Sequence, residues 1–560
     1  MARGSLFARG GDRRDATALH YEQRRPETTP LYRLVACHLE TFLAEARAAH
    51  ERGVPRYVER ELRAYLACGI HAHGFLRARC ASCHREILVA FSCKLRGVCP
   101  SCNARRMCST AAHLTDRVFP DVPIRQWVLS VPFELRLLLA RNAAALSAVG
   151  RTFVREIWRW QRGQFGASPM HGRKGNASPP PNIRGGAVCF PQRFGGSLNL
   201  NVHYHVAVPD GVFSREPEAA PGVVFHQLAI PNRSDLETIG HAVELRVLRW
   251  LRRRGLLEAD EAEPAEIHAE RQRDALDACL RGSLGIGELS SLPGSASVAG
   301  RGNDEDSPAS NPRSLTGVLA SRRARSSRGF DIHAGVSVPA QDREGRERLL
   351  RYCARPPLSL ERLSVLADGR VAYRIKNPRG KQTHRVMSPI QFLARLCALI
   401  PPPRHPLVRF HGVFAPHSAW RRHVVALAHG NSPSSEEAKA RACRKESASD
   451  PDSNNDAPVV PPAPVESGGP AALGAQGQTA LSPAAEITVA RDTRIDWATL
   501  LKRVHDVDAL GCPCGGRLRV IALITEPEVV VAILTSLHLP AAPPPIARAR
   551  SPDYFEPASD

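Results

Sequence analysis

Two groups of residues in this chain have the types and spacing for metal chemistry. The first is His203 and His205, inside residues 198–208, Leu-Asn-Leu-Asn-Val-His-Tyr-His-Val-Ala-Val. The stretch is apolar and β-prone, and it ends at a Pro209-Asp210-Gly211 turn, so it predicts a strand. In a strand, residues i and i+2 leave one face, so both imidazoles point one way and Tyr204 the other. Two imidazoles on one rigid surface suit a divalent metal ion, although a solvated strand face would carry the same pattern. The ion needs a third ligand. His333, on a later strand, is the candidate, with Gln192 and Asp210, which flank the hairpin, as alternatives. The second group is Cys80-Ala-Ser-Cys83 and Cys99-Pro-Ser-Cys102, two C-x2-C knuckles with residues 84–98 between them. Each knuckle offers two thiolates from one tight turn, so Cys80, Cys83, Cys99 and Cys102 predict one tetrahedral zinc site. Cys68, Cys93 and Cys108 lie near enough to replace a ligand. Near the end, Cys512-Pro-Cys514-Gly-Gly offers only two thiols, a remnant or half of a site completed elsewhere.

A metal at the histidine pair could polarise a phosphodiester for attack by a tyrosine hydroxyl, leaving a phosphotyrosine and a free hydroxyl. The attack needs a tyrosine on a firm element, with cations for the developing charge. Of eight tyrosines, Tyr352 fits best. It stands near the end of a predicted helix over residues 343–354, stopped by Pro356-Pro357, with Arg348, Arg351 and Arg355 around it. Tyr21 and Tyr554 are in tails, Tyr32, Tyr57 and Tyr65 in N-terminal helices, Tyr204 faces away, and Tyr373 reads as a sheet residue. Arg105 and Arg106 beside the cysteines, and Arg351 and Arg355 beside the tyrosine, are candidate DNA contacts.

The composition agrees with a polyanionic partner. The 560 residues carry a net charge of +21, and the sequence pI is near 9.9. The excess is spread along the chain, and nucleic acid is the first expectation. No apolar run approaches a bilayer span, and the N-terminus lacks a secretory apolar core, so no membrane partner is expected. A cytoplasmic, nucleoid-associated protein would keep its 15 cysteines reduced.

The elements that must hold these residues can be read from periodicity. Residues 30–67 predict two helices broken at Gly53-Val54-Pro55. Residues 186–194 and 198–208 predict a hairpin turned at Gly195-Gly196. The fold class expected is α+β: an N-terminal helical and zinc-binding module, a catalytic domain with an antiparallel sheet flanked by helices, a small C-terminal module and long disordered insertions. The boundaries expected are a tail over 1–26, the helical and zinc-binding domain over 27–117, the catalytic domain over 118–282 and 328–430, and a C-terminal CxC module over 493–542. Residues 283–327 and 431–492 read as disordered insertion and linker, and 543–560 as a tail.

Several segments, in order, resemble the HUH transposases of the insertion-sequence-91 type, which act in rolling-circle transposition. They are CGIHAHGFLRARCASC, FSCKLRGVCPSCNARRM, RFGGSLNLNVHYHVAVPDGVF, FDIHAGVSVPA, LLRYCARPPLSLERL, FHGVFAPHS and CPCGGRLRVIALI. The resemblance implies an N-terminal zinc domain, an HUH-type catalytic sheet bearing the two-histidine motif, Tyr352 as nucleophile, and Mg²⁺ or Mn²⁺ as catalytic ion. It implies single-stranded DNA at an element's end as substrate, target DNA as partner, and a 5′-phosphotyrosine intermediate in a bacterial protein. Some relatives carry a second tyrosine one helical turn on, where this chain has Pro356. One tyrosine must then act twice, or self-association must supply another. A rolling-circle replication initiator and a non-catalytic zinc-containing DNA-binding protein are the alternatives.

Overall fold

The computed structural model describes residues 23–167, 182–216, 222–257, 274–285, 323–326, 329–376, 378, 382–427, 497–505 and 507–550. Helices Pro30–Ala49 and Arg56–Ala67 form on either side of the predicted break. The first begins behind Thr29, whose hydroxyl accepts the Tyr32 N–H. Both bury their periodic apolar faces, Leu31, Leu34, Val35, Leu39 and Leu43 against Val58, Leu62 and Leu66.

Strands are numbered in chain order. The large sheet contains β3 (Ile124–Ser130), β5 (Gly186–Phe194), β6 (Leu200–Pro209), β9 (Arg323–Arg325), β10 (Asp331–Val338) and β14 (Arg409–Gly412). Its order is β14-β5-β6-β3-β10-β9, and every pairing is antiparallel. β5 and β6 are the predicted hairpin. β9 falls within residues 283–327, expected to be a disordered insertion. It is held at the sheet edge by pairing with β10 and by the Arg323–Asp331 ion pair.

The period of two sorts β6 between two cores. Val202, Tyr204, Val206 and Val208 pack with helices Phe133–Arg141, Ala143–Ala167, Arg233–Arg253 and Pro389–Leu399. Ala207 packs on the other face, with Val188 and Phe190 of β5, against helices Pro100–Arg117 and Arg343–Cys353. β6 is buried along its whole length, which is why it reads as a near-continuous apolar run.

Smaller sheets surround this body. β11 (Leu363–Val365), β12 (Val371–Arg374) and β13 (His384–Met387) form one, and β4 (Ile183–Arg184), β7 (Gly211–Arg215) and β8 (Val223–Gln227) another. β1 (Phe75–Cys80) and β2 (Glu86–Ala90) form the zinc-region hairpin, and β15 (Leu518–Ile524) adds to it in the order β15-β1-β2. The expected C-terminal module therefore shares a sheet with the N-terminal zinc region. Residues 543–550, expected as tail, run along the first helix, where Ala547 donates to the Ala36 carbonyl at 2.9 Å and Arg550 N–H to Thr41 Oγ1 at 3.1 Å. Residues 1–22 of the tail expected over 1–26, most of the insertion and the whole linker 431–492 lie outside the described residues. Among those described, no helix is long and apolar enough to cross a membrane.

Candidate active site

Because His203, His205 and Ala207 alternate with Val202, Tyr204, Val206 and Val208, the two imidazoles emerge on the face covered by Arg343–Cys353. Each is 1 % exposed. Their Nε2 atoms are 3.1 Å apart. Two cis ligands about 2.1 Å from one ion would be separated by about 3 Å, so the pair fits a single metal. His203 Nδ1 lies 3.0 Å from the Asn201 carbonyl. That contact assigns its proton to Nδ1 and leaves the Nε2 lone pair for an ion. His205 Nδ1 meets the Gln126 side-chain amide at 2.6 Å. With the amide oxygen turned to it, Gln126 would accept the Nδ1 proton and give His205 the same tautomer. Burial, chiefly, pushes His203 down to about 3, with Arg355, Arg136 and Lys376 adding to the effect. His205 is depressed well below its ordinary value by burial, then by His203, Arg355 and Lys376. Both are neutral, as ligands must be.

Tyr352 stands over this pair, its ring centroid 5.5 Å from that of His205 at an interplanar angle of 87°. Arg355 Cζ lies 4.9 Å and Lys376 Nζ 5.1 Å from the tyrosine centroid. Arg355 also lies 5.5 Å from the ring centre of Phe194, at the end of β5. The helix holds this pose for several reasons. Asp342 caps its start by accepting the Gly345 N–H at 2.7 Å. Arg346, wholly buried, donates to Asp121 at 2.8 Å and to the Ala340 carbonyl at 2.7 Å. Leu349, Leu350 and Cys353 pack on Ala111, Leu114 and Val118, each buried leucine contributing roughly 2 kcal/mol. At its end, Gln192 of β5 donates to the Cys353 carbonyl at 2.6 Å, and Gln126 of β3 contacts Cys353 Sγ at 3.6 Å. Two glutamines thus bridge the histidine sheet and the tyrosine helix.

The proposed third ligands separate clearly. His333 is paired with Val128, and Val128 with His205, so two strand spacings, about 9.5 Å, divide the histidines. Among the described residues it forms no three-ligand group with the pair. Asp210 is held by Arg125 through two contacts of 2.8 Å. Gln192 stands directly opposite His203, and its buried Oε1 has no hydrogen-bond partner. Gln192 is thus on the strand next to the pair, whereas His333 is two strands from His205. Gln126 and Lys376 escape a sequence reading. Only the basic run after β12, Lys376-Asn-Pro-Arg-Gly-Lys, signals the second. Among the expected DNA contacts, Arg355 is at the site and Arg105 is exposed. Arg351 reaches Cys108 instead, and Arg106 donates to the Lys94 and Leu95 carbonyls, both at 3.0 Å.

The cysteines regroup. Cys80, Cys83, Cys99 and Cys102 do not share one site, because β1 carries the first knuckle away from the helix that begins at Cys99. Cys99 and Cys102 join Cys68 and Cys93, with Sγ–Sγ separations of 3.5 to 3.7 Å. A tetrahedral zinc with bonds of about 2.3 Å requires sulfur separations of about 3.8 Å. Cys99 caps Pro100–Arg117 and Cys102 lies in its first turn, where the helix dipole favours anionic sulfur. The Cys102 thiol is driven down by hydrogen bonds, first from Cys68 and then from Cys93 and Cys99. Cys80 and Cys83 meet Cys512 and Cys514 instead.

A buried histidine pair under a tyrosine helix thus stands in one chain with two four-cysteine clusters. Residues 37–131 match the family described as "Transposase zinc-binding domain", and residues 186–422 that described as "Putative transposase". The chain belongs to the insertion-sequence-91 family of transposases. It is a DNA-processing enzyme with structural zinc, and DNA is its expected partner. No curated protein matches the chain, and no solved structure does.

Proposed function

We propose that this transposase nicks and rejoins single-stranded DNA at the ends of its element by the HUH rolling-circle route, with Tyr352 as nucleophile. The observation that carries the reading is the placement of the Tyr352 ring edge-on to His205, with Arg355 and Lys376 against it. The phenol oxygen attacks the scissile phosphorus. The P–Oη bond forms as the P–O3′ bond breaks, and the phenol proton leaves as the 3′ oxygen gains one. The products are a 5′-phosphotyrosine and a free 3′-hydroxyl, and reversal with another 3′-hydroxyl rejoins the strand. Bond energy is conserved, so no nucleotide cofactor is required.

His203, His205 and Gln192 would hold Mg²⁺ or Mn²⁺. That ion would supply Lewis-acid polarisation of a non-bridging phosphate oxygen. Arg355 and Lys376 bind the phosphate and offset its developing charge. With Pro356 one turn beyond, either Tyr352 acts twice or a second subunit contributes its own.

The test uses purified full-length protein, Mn²⁺ and a labelled single-stranded oligonucleotide from the element's end. Covalent labelling is expected for the parent. Tyr352→Phe should lose it completely while binding the oligonucleotide with affinity within a few-fold. A Phe variant that labels as well as the parent has another nucleophile.

A further inference from the structure

The second thiol cluster lies outside what the histidine–tyrosine chemistry uses, and half of it lies beyond both matched segments. We propose that Cys80, Cys83, Cys512 and Cys514 form a second structural zinc centre, which fastens the C-terminal segment to the N-terminal zinc region. Cys80 Sγ is 3.6 Å from Cys514 Sγ, and Cys83 Sγ is 3.5 Å from Cys512 Sγ. These separations approach the edge of a zinc–thiolate tetrahedron, about 3.8 Å, and far exceed a disulfide bond of about 2.05 Å.

The backbone is built for the purpose. Cys80 and Cys83 occupy the turn between β1 and β2, closed by His84 N–H donating to the Cys80 carbonyl at 3.1 Å. The partner turn is closed by Cys512 N–H to the Gly516 carbonyl and Gly515 N–H to the Cys512 carbonyl, both 2.9 Å. Gly516 N–H also lies 3.4 Å from Cys514 Sγ, a contact that favours thiolate. Both glycines are required here. Gly515 has φ +83°, and a Cβ on Gly516 would come within 2.7 Å of Cys80 Sγ. A side chain at Gly516 would press on the Cys80 thiol, and one at Gly515 would be strained by its backbone.

The thiols stand where the sheet is thinly packed. Among the described residues, the buried apolar cluster around Cys80 and Cys512 holds Ala78 and Leu518, with Leu76 and Ile87 against it, while Phe75 packs separately with Val530 and Leu534. The outer strand β15 leaves Val520, Ile521 and Leu523 exposed. Both clusters are small, and small folds supplement such cores with a metal. The compression to C-x-C is accommodated because the second pair of sulfurs comes from a C-x2-C turn.

The fastening also bears on the tyrosine helix. Helix Trp497–His505 precedes the C-x-C turn, and its Arg503 donates to Glu347 on the tyrosine helix at 3.0 Å and to Asp116 at 3.0 Å. Arg503 is a positioning residue that reaches Tyr352 only through the helix.

Full-length protein purified from zinc-supplemented cells should contain two zinc ions per chain by elemental analysis. The double variants Cys512→Ser/Cys514→Ser and Cys68→Ser/Cys99→Ser should each contain one. Two zinc ions in the C-terminal variant, or one in the parent, overturns the proposal. A measurement without variants guards against misfolding. In the parent, Cys512 and Cys514 should resist alkylation, read by peptide mass spectrometry, and become reactive on chelation. Equal reactivity before and after chelation overturns it, as does protection relieved by a thiol reductant alone, which would indicate disulfides. None of these readouts depends on DNA cleavage, so they stand or fall apart from the nucleophile assignment.

Discussion

At the residue scale, Gln192 does two jobs with one side chain: its amide nitrogen holds the Cys353 carbonyl, and its oxygen stands opposite His203 with no hydrogen-bond partner. Substitutions can separate them. Gln192→Glu keeps an acceptor for an ion but loses the donor, whereas Gln192→Leu loses both. The Leu variant should need about tenfold or more Mn²⁺ for half-maximal labelling, and the Glu variant no more Mn²⁺ than the parent. Titrating labelling against Mn²⁺ checks this, and equal requirements in both variants would remove Gln192 from the ligand set. The histidine pair was legible because an i, i+2 spacing in a strand determines a shared face. A third ligand was narrowed only to His333, with Gln192 and Asp210 as alternatives. His333 has the right chemistry, but only the strand order reveals that β3 lies between it and the pair. Register across β5 and β6 pairs Gln192 with His203, which favours that alternative.

At the element scale, the tyrosine helix is clamped from three sides: by β3 and β5 through their glutamines, by the zinc-domain helix Pro100–Arg117 through apolar packing, and by Arg503 through Asp116 and Glu347. Arg503→Met keeps most of the side-chain volume and removes the charge. Its labelling rate should fall several-fold with the Mn²⁺ requirement unchanged, since the ligands are untouched. An altered Mn²⁺ requirement at unchanged maximal rate would show that Arg503 acts on the metal site instead. Most elements were readable from periodicity and punctuation. The break at Gly53-Val54-Pro55, the Gly195-Gly196 hairpin and the helix before Pro356-Pro357 all follow from local backbone chemistry. β9 and the placement of β15 were not readable, because a three-residue edge strand and a strand that pairs across the length of the chain leave no short-range signal.

At the scale of the whole molecule, burial of neutral histidines makes stability depend on pH. His203 is pushed down to about 3 and His411 to about 4, both by burial first. The unfolded chain takes up protons near pH 6.5, while the folded chain refuses them until much lower pH. Stability contributed by these groups is therefore complete above about pH 6.5 and is lost as pH falls towards their folded values. The melting temperature of the metal-free protein should drop between pH 7 and pH 5. His411→Gln, away from the metal pair, should make that drop shallower, and a flat profile in the parent would contradict the burial argument. The net charge of +21 adds a second dependence: oligonucleotide affinity should weaken steeply as salt rises.

The pairing of β15 with β1 has a consequence for biosynthesis. A ribosome makes β1 and β2 well before their neighbouring strand and Arg503, since Cys80 and Cys514 stand 434 residues apart. Until then the tyrosine helix lacks one of its clamps, and the early hairpin has an unsatisfied edge. Chains terminated before Arg503 and β15 should therefore give weaker covalent labelling than the longer chain, even with His203, His205 and Tyr352 all present.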